Sequence, residues 1–280
     1  MTLQSIPRRL FGRLLEAMAR NEGAGLRKTL WKGWYNLLAR FWTTAEWTYM
    51  NYGYQPQDGD DVVSLPPEEE PDRPFIGLYH RVTGRWPLEG KRVLEVGCGR
   101  GGGCAHLARA RAPREMVGLD YSGPVIQWAR RRHQSDTAPR FEVGDAEALP
   151  FESGAFDVVV NVESSHCYAN MDRFVEEVYR VLVPGGLFLW ADMGTKAMHE
   201  TFDGHLQSAG FQVEDRTVIT PGVLASLEET HDQKMAMTSR IPLGKTLVRE
   251  FAGTRSSILF KGLSQGAVIY RTLAARRPLA

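Results

Sequence analysis

Residues 93–103 read VLEVGCGRGGG, and the fold of the chain turns on how they are read. Val93, Leu94 and Val96 suit a buried strand, and the glycines that follow suit a tight turn into a helix. The spacing G-x-G-x-x-G falls on Gly97, Gly99 and Gly102, which lets a backbone approach the pyrophosphate of a dinucleotide. The same loop suits S-adenosylmethionine, which carries no phosphate. Either way, a strand running through glycines into a helix opens an α/β sheet.

Carboxylates at the strand ends separate the two readings. Glu95 stands two residues before the first glycine. At about 4 Å and an effective dielectric near 20, a carboxylate repels a pyrophosphate charge by roughly 4 kcal/mol. The ammonium and sulfonium of S-adenosylmethionine would be attracted instead. Asp120, in MVGLDYS, ends the next strand, where it could accept both ribose hydroxyls; nicotinamide enzymes do the same, so it does not discriminate. Asp145, in FEVGDAEALPF, follows the third strand, where it could accept the adenine amino hydrogens. Three acids at three successive strand ends suit a cationic cofactor, and the oxidoreductase reading gives way. The cofactor-binding residues expected on this basis are Glu95, Gly97, Cys98, Gly99, Gly101, Asp120, Tyr121, Asp145, Ala146 and Asn161.

Outward from this loop, strand-like runs at 92–96, 115–119, 140–143, 156–161, 187–191, 211–219 and 267–273 alternate with helical runs at 104–112, 124–133, 171–182 and 196–209. The alternation predicts a doubly wound, Rossmann-like sheet. VPGG (183–186) reads as a turn ending a helix. Between the last two strands, about 45 residues are long enough for a lid insertion, placed at about 221–263.

Ahead of this domain, residues 8–40 are basic and helix-prone, with Trp31, Trp34, Tyr35, Phe41, Trp42 and Trp47 clustered in and after them. Three readings stand: a hydrophobic cap over the substrate, extra core packing, or weak contact with a membrane surface. QPQDGDDVVSLPPEEEPDRP (55–74) is acidic and proline-rich and reads as a linker, dividing the chain into 1–74 and 75–280. The 280 residues carry 43% hydrophobic and 24% charged residues and a net charge of +1, an ordinary globular balance with no pull toward nucleic acid. Cys98, Cys104 and Cys167 have no C-x-x-C spacing, which suits a reducing, cytoplasmic setting. Neither a leader nor an apolar run of about 18 residues is visible.

Four stretches, VLEVGCGRGGG, GLDYS, GDAEALPFESGAFDVVVNVES and EEVYRVLVPGG, resemble the successive motifs of class I S-adenosylmethionine-dependent methyltransferases. The resemblance implies a seven-stranded sheet of order 3-2-1-4-5-7-6 with the seventh strand antiparallel. More narrowly, RPFIGLYHRVTG, LEVGCGRGGG and NVESSHCY resemble the phthiotriol/phenolphthiotriol dimycocerosate O-methyltransferases, which methylate a hydroxyl on a very long lipid. That implies a small lipophilic acceptor from lipid or polyketide secondary metabolism.

A hydroxyl nucleophile benefits from a general base, and histidine has a suitable pKa. His166 follows the fourth strand and Asp192 ends the fifth, an arrangement that natural-product sugar O-methyltransferases resemble. The alternative for His166 is packing or capping. His80 and His231 rank lower as bases, Cys167 reads as packing, and Glu147 reads as a solvated surface charge. No metal is expected. The cofactor motifs do not report the acceptor atom, so C- or N-methylation, or a cyclase retaining the cofactor as scaffold, stand beside O-methylation.

Overall fold

The computed structural model describes residues 48–134, 139–239, 248–250 and 252–279. Residues 8–40 and the aromatics from Trp31 to Trp47, expected as a cap, as core packing or as a membrane contact, lie outside the described residues. The described chain builds one seven-stranded sheet: β1 Arg92–Val96, β2 Glu115–Asp120, β3 Arg140–Val143, β4 Phe156–Val162, β5 Leu182–Gly194, β6 Gln212–Val218 and β7 Ile269–Arg276. Its order is β3-β2-β1-β4-β5-β7-β6, and β7 runs antiparallel to both neighbours, as the family resemblance implied.

Adjacent residues of the central strands enter different cores, because side chains alternate faces along a strand. Val93, Val158 and Leu189 join one apolar cluster with Ile76, Leu107 and Ile126. Their neighbours Leu94, Val159 and Phe188 join a second with Phe174, Val178 and Leu206. A sheet buried on both faces reads as continuous apolar runs. A first helix, α1 Arg73–Thr83, precedes the sheet. Helices α2 Gly102–Arg111 and α3 Gly123–Arg132 follow β1 and β2, while α4 Met171–Val181 and α5 Lys196–Ala209 flank β5.

Three boundaries differ from the sequence expectation. The acidic linker is not extended to residue 74: a 3-10 helix spans Pro67–Asp72, and α1 begins directly after it. Proline at the start of a helix forfeits only a donor that the helix would leave unpaired, so Pro74 is accommodated there. VPGG is not a turn. The helix stops at Val181, and Leu182 already pairs with Phe156 in the sheet. The left-handed Gly185 (φ 79°) lets the strand kink through, with Gly185 N–H donating to Arg277 O and Arg277 N–H to Gly186 O. The insertion after β6 is helical, with Thr220–Glu229, His231–Ser239 and Ile258–Ser264, and Val223, Leu227, Leu259 and Leu263 are built into the first core. Among the described residues, no helix is long and apolar enough to cross a membrane.

Candidate active site

The carboxyl ends of β1, β2 and β4 open on a cavity. Gly97 and Gly99 form its floor. Gly97 is left-handed (φ 75°), and a Cβ there would fall 2.2 Å from Ser164 Oγ. Gly97→Ala is expected to cost roughly 1–3 kcal/mol of stability from the backbone conformation alone, read as a shift in the denaturant midpoint. It should also weaken ligand binding, since Ser164 is itself on the cavity wall.

Asp120 ends β2 with its carboxylate fixed: Oδ2 accepts from Gly99 N (3.0 Å) and Oδ1 from Ser122 N (2.9 Å). Burial raises its pKa, against the pull of these N–H groups and that of Tyr121. Asp120, Tyr121, Asp145 and Ala146 all line the cavity. Asp145 is set by a local turn, its Oδ1 accepting from Glu147 N (3.0 Å).

Four expected cofactor residues do not reach the wall. Glu95 is 0% exposed, with Oε1 accepting from Tyr79 O–H (2.7 Å) and Oε2 from the Cys104 thiol (2.8 Å). Burial pushes its pKa up to about 7, so it is no permanent anion beside a ligand. Tyr79, its hydrogen-bond donor, lines the cavity instead. Asn161 is equally buried and ties the loop together: its Nδ2 donates to Val96 O (2.9 Å) and Ser164 Oγ (2.7 Å). Cys98 is buried, and its thiol is pushed up to about 11 by burial. Gly101 is the left-handed cap of α2, where a side chain would strike the Phe141 ring at 2.5 Å.

On the β4 side, a 3-10 turn at Ser165–Cys167 presents His166 to Asp192 at the end of β5. Asp192 is 1% exposed. Its Oδ1 meets His166 Nδ1 at 2.7 Å and accepts from Met193 N (2.8 Å). Its Oδ2 accepts from Ser165 Oγ (2.6 Å) and His166 N (2.9 Å). Trp190 Nε1 donates in turn to Ser165 Oγ (2.8 Å). Burial would lower the His166 pKa, but the Asp192 carboxylate, helped by the neighbouring Cys167, overrides it and holds the ring well above its usual value. Asp192 goes the other way: burial raises it, and the His166 charge and hydrogen bonds bring it below the carboxylate norm. None of His166, Asp192, His80 and His231 lines the cavity itself, although Cys167, next to His166, does.

Sequence reasoning missed several wall residues. Glu147 is no solvated charge: it lines the cavity, and its Oε1 accepts from Ala169 N (2.8 Å). Cys167 and Tyr168 also line it, and Met50 arrives from the segment ahead of the linker. Glu163 is the largest omission. It is 7% exposed, lines the cavity and has φ 50°, a left-handed conformation that costs a non-glycine residue of order 1–3 kcal/mol and clusters at functional sites. Glu163 directly follows β4, so the strand-end position that singled out Asp120 and Asp145 was a signal for it as well, left unused.

The cavity suits S-adenosylmethionine: glycine backbone at the β1 end, a fixed carboxylate at the β2 end, a further carboxylate after β3. Comparisons with known proteins agree. Residues 94–190 match a family described as "Methyltransferase domain". The phthiotriol/phenolphthiotriol dimycocerosates methyltransferase of Mycobacterium leprae (strain TN) is 34% identical over 263 residues, 93% of this chain and 97% of the relative. A fatty-acid O-methyltransferase of Mycolicibacterium smegmatis is 35% identical over 232 residues, covering 82% of this chain and 83% of that one. Among solved structures, geranyl diphosphate C-methyltransferase from Streptomyces coelicolor A3(2), in complex with S-adenosyl-L-homocysteine, superposes with a TM-score of 0.63. At 19% identity, covering 87% of this chain and 98% of that one, it reports the fold alone.

Proposed function

Because the chain belongs to the class I S-adenosylmethionine-dependent methyltransferases, in the branch related to the phthiotriol/phenolphthiotriol dimycocerosates methyltransferases, we propose that it methylates a hydroxyl of a lipophilic small molecule with His166 as general base. The observation that carries this reading is the His166–Asp192 pair at the β4 and β5 ends, beside the cavity. The names of the relatives, acting on dimycocerosates and on fatty acids, support a long apolar acceptor.

S-adenosylmethionine supplies a methyl group already activated on a sulfonium. The protein's part is to hold it, to align the acceptor oxygen and to remove that oxygen's proton. Gly97, Gly99, Asp120 and Asp145 would hold the cofactor. With Nδ1 engaged by Asp192, Nε2 of His166 receives the hydroxyl proton. Asp192, with four donors already aimed at its oxygens, stabilises the imidazolium that results. Ser165 and Trp190 keep Asp192 in place.

Asp120→Ala is expected to raise the dissociation constants for S-adenosylmethionine and S-adenosylhomocysteine together by roughly 10- to 100-fold, as the loss of charge-assisted hydrogen bonds of roughly 1.5–3 kcal/mol implies. Calorimetric titration of both compounds reads this, and unchanged constants would remove Asp120 from the site. The reaction itself is tested by incubating the protein with methyl-labelled cofactor and long-chain alcohols, then locating the label by mass spectrometry. A methyl ether supports the proposal. Label on carbon or nitrogen, or no transfer at all, contradicts it.

A further inference from the structure

Glu163 lies in the turn after β4 that also carries His166, yet the mechanism above makes no use of it. Its backbone N–H is committed to Ala191 O (2.8 Å), so β5 pins the left-handed conformation that aims the side chain. Two donors reach the same oxygen: Tyr52 N at 2.8 Å and Tyr270 O–H at 2.7 Å, both to Oε1. Oε2 has no hydrogen-bond partner among the described residues, although the side chain forms part of the cavity wall. One oxygen is anchored twice and the other is left to whatever occupies the cavity. A bound hydroxyl that displaces water from this oxygen would give it a charge-assisted hydrogen bond.

We propose that Glu163 positions the acceptor, taking a hydrogen bond from an acceptor hydroxyl through Oε2 and selecting alcohols over carboxylic acids of the same chain length. This rests on the lipophilic-acceptor reading above and narrows it. An alcohol brings a donor to a carboxylate oxygen. A fatty acid, ionised at neutral pH, brings a further anion against a wall that already carries Glu163, Asp120 and Asp145, and like charges brought together are disfavoured. Burial pushes the Glu163 pKa up to about 7, against the Tyr52 and Tyr270 hydrogen bonds, so the anion and the neutral acid coexist at neutral pH and the anion prevails as pH rises above that value. Two cationic groups act on or near Glu163: His166, whose charge lowers its pKa, and Lys234, 6% exposed, whose own charge Glu163 favours. The Lys234 ammonium has no hydrogen-bond partner among the described residues and lies 5.7 Å from the ring centres of Tyr52 and Phe75. Lys234 thus favours a charged Glu163 without competing for Oε2.

The test compares wild type, Glu163→Gln and Glu163→Asp with hexadecanol and hexadecanoic acid as acceptors, at saturating methyl-labelled cofactor. Products are separated as methyl ether or methyl ester. Wild type is expected to prefer the alcohol by about tenfold or more in kcat/KM, the equivalent of one lost hydrogen bond or one uncompensated repulsion. Glu163→Gln should raise KM for the alcohol about tenfold while kcat and cofactor affinity stay within about threefold, and the alcohol-to-acid ratio should fall toward one. A merely structural role would lower kcat and thermal stability together and leave that ratio unchanged. Where Glu163→Gln fails to fold, Glu163→Asp retains the charge and should keep the preference with a higher KM. Methyl ester as the main wild-type product would overturn this inference and leave the lipophilic-acceptor reading standing. An unchanged ratio in Glu163→Gln would do the same. Absence of both products would remove both readings.

Discussion

His166→Ala is expected to lower turnover by roughly 10²- to 10⁴-fold, the usual contribution of a positioned general base, with the S-adenosylmethionine dissociation constant nearly unchanged. The asymmetry follows from position. His166 sits on the β4 turn and is held by Asp192 at 2.7 Å, while the glycine loop and Asp120 belong to β1 and β2. Single-turnover kinetics, with calorimetry on the same preparation, read both quantities. The wild-type pH profile supplies a second check. The Asp192 carboxylate outweighs the effect of burial and holds His166 well above its ordinary pKa, so the proton-accepting form of the ring gains population only at higher pH than for a free histidine. Acceptor kcat/KM should therefore rise with pH through the raised His166 value and level off above it. A flat profile through that range, or near wild-type turnover in His166→Ala, would assign proton removal to another group.

The sheet was legible in the sequence because its strands are separate apolar runs broken by glycine turns and amphipathic helices, and because four motifs fall in family order. The cavity wall was legible where a residue's place is set by its position along the strand. Gly97, Gly99, Asp120 and Asp145 follow strand ends, and any residue just past the end of a parallel strand faces the carboxyl edge. Side-chain direction inside a strand was not legible. Glu95 and Asn161 sit in β1 and β4, which are buried on both faces, so no polar alternation marks which face looks toward the ligand. Glu95 thus turned to Tyr79 and Cys104, and Asn161 to the backbone of β1. Contributions from distant segments were equally invisible: Met50 and Tyr79 reach the wall only after the chain folds over the carboxyl edge. Glu163 was legible by the same rule, since it directly follows β4; only its left-handed backbone was not, because sequence advertises that conformation only when the residue is glycine.

Asp192→Asn is expected to lose turnover in the same direction as His166→Ala, by roughly 10²- to 10⁴-fold, and to change the pH profile in a way that no other substitution should. The substituted amide could still accept hydrogen bonds but would carry no charge, and its NH₂ could present a donor where His166 Nδ1 now finds an acceptor. The imidazole then loses both its fixed tautomer and the stabilisation of its protonated form, so its pKa falls and the rise of activity with pH disappears from the range where wild type shows it. Stability changes with a defined sign. The folded pKa of His166 lies above its unfolded value, so its contribution is complete below about 6.5, the unfolded histidine value, and is lost as pH rises through the folded value. Asp192 is depressed; its contribution is present above the unfolded carboxylate value and is lost as pH falls through the folded one. Wild type minus variant stability should therefore be greatest between these limits and shrink on both sides, with a maximum of about 3–5 kcal/mol for breaking a buried pair. Denaturant unfolding of both proteins across that range measures the difference. A gap that does not vary with pH would mean that Asp192 acts here only as a hydrogen-bond acceptor and that the charge on His166 has no part in holding the turn.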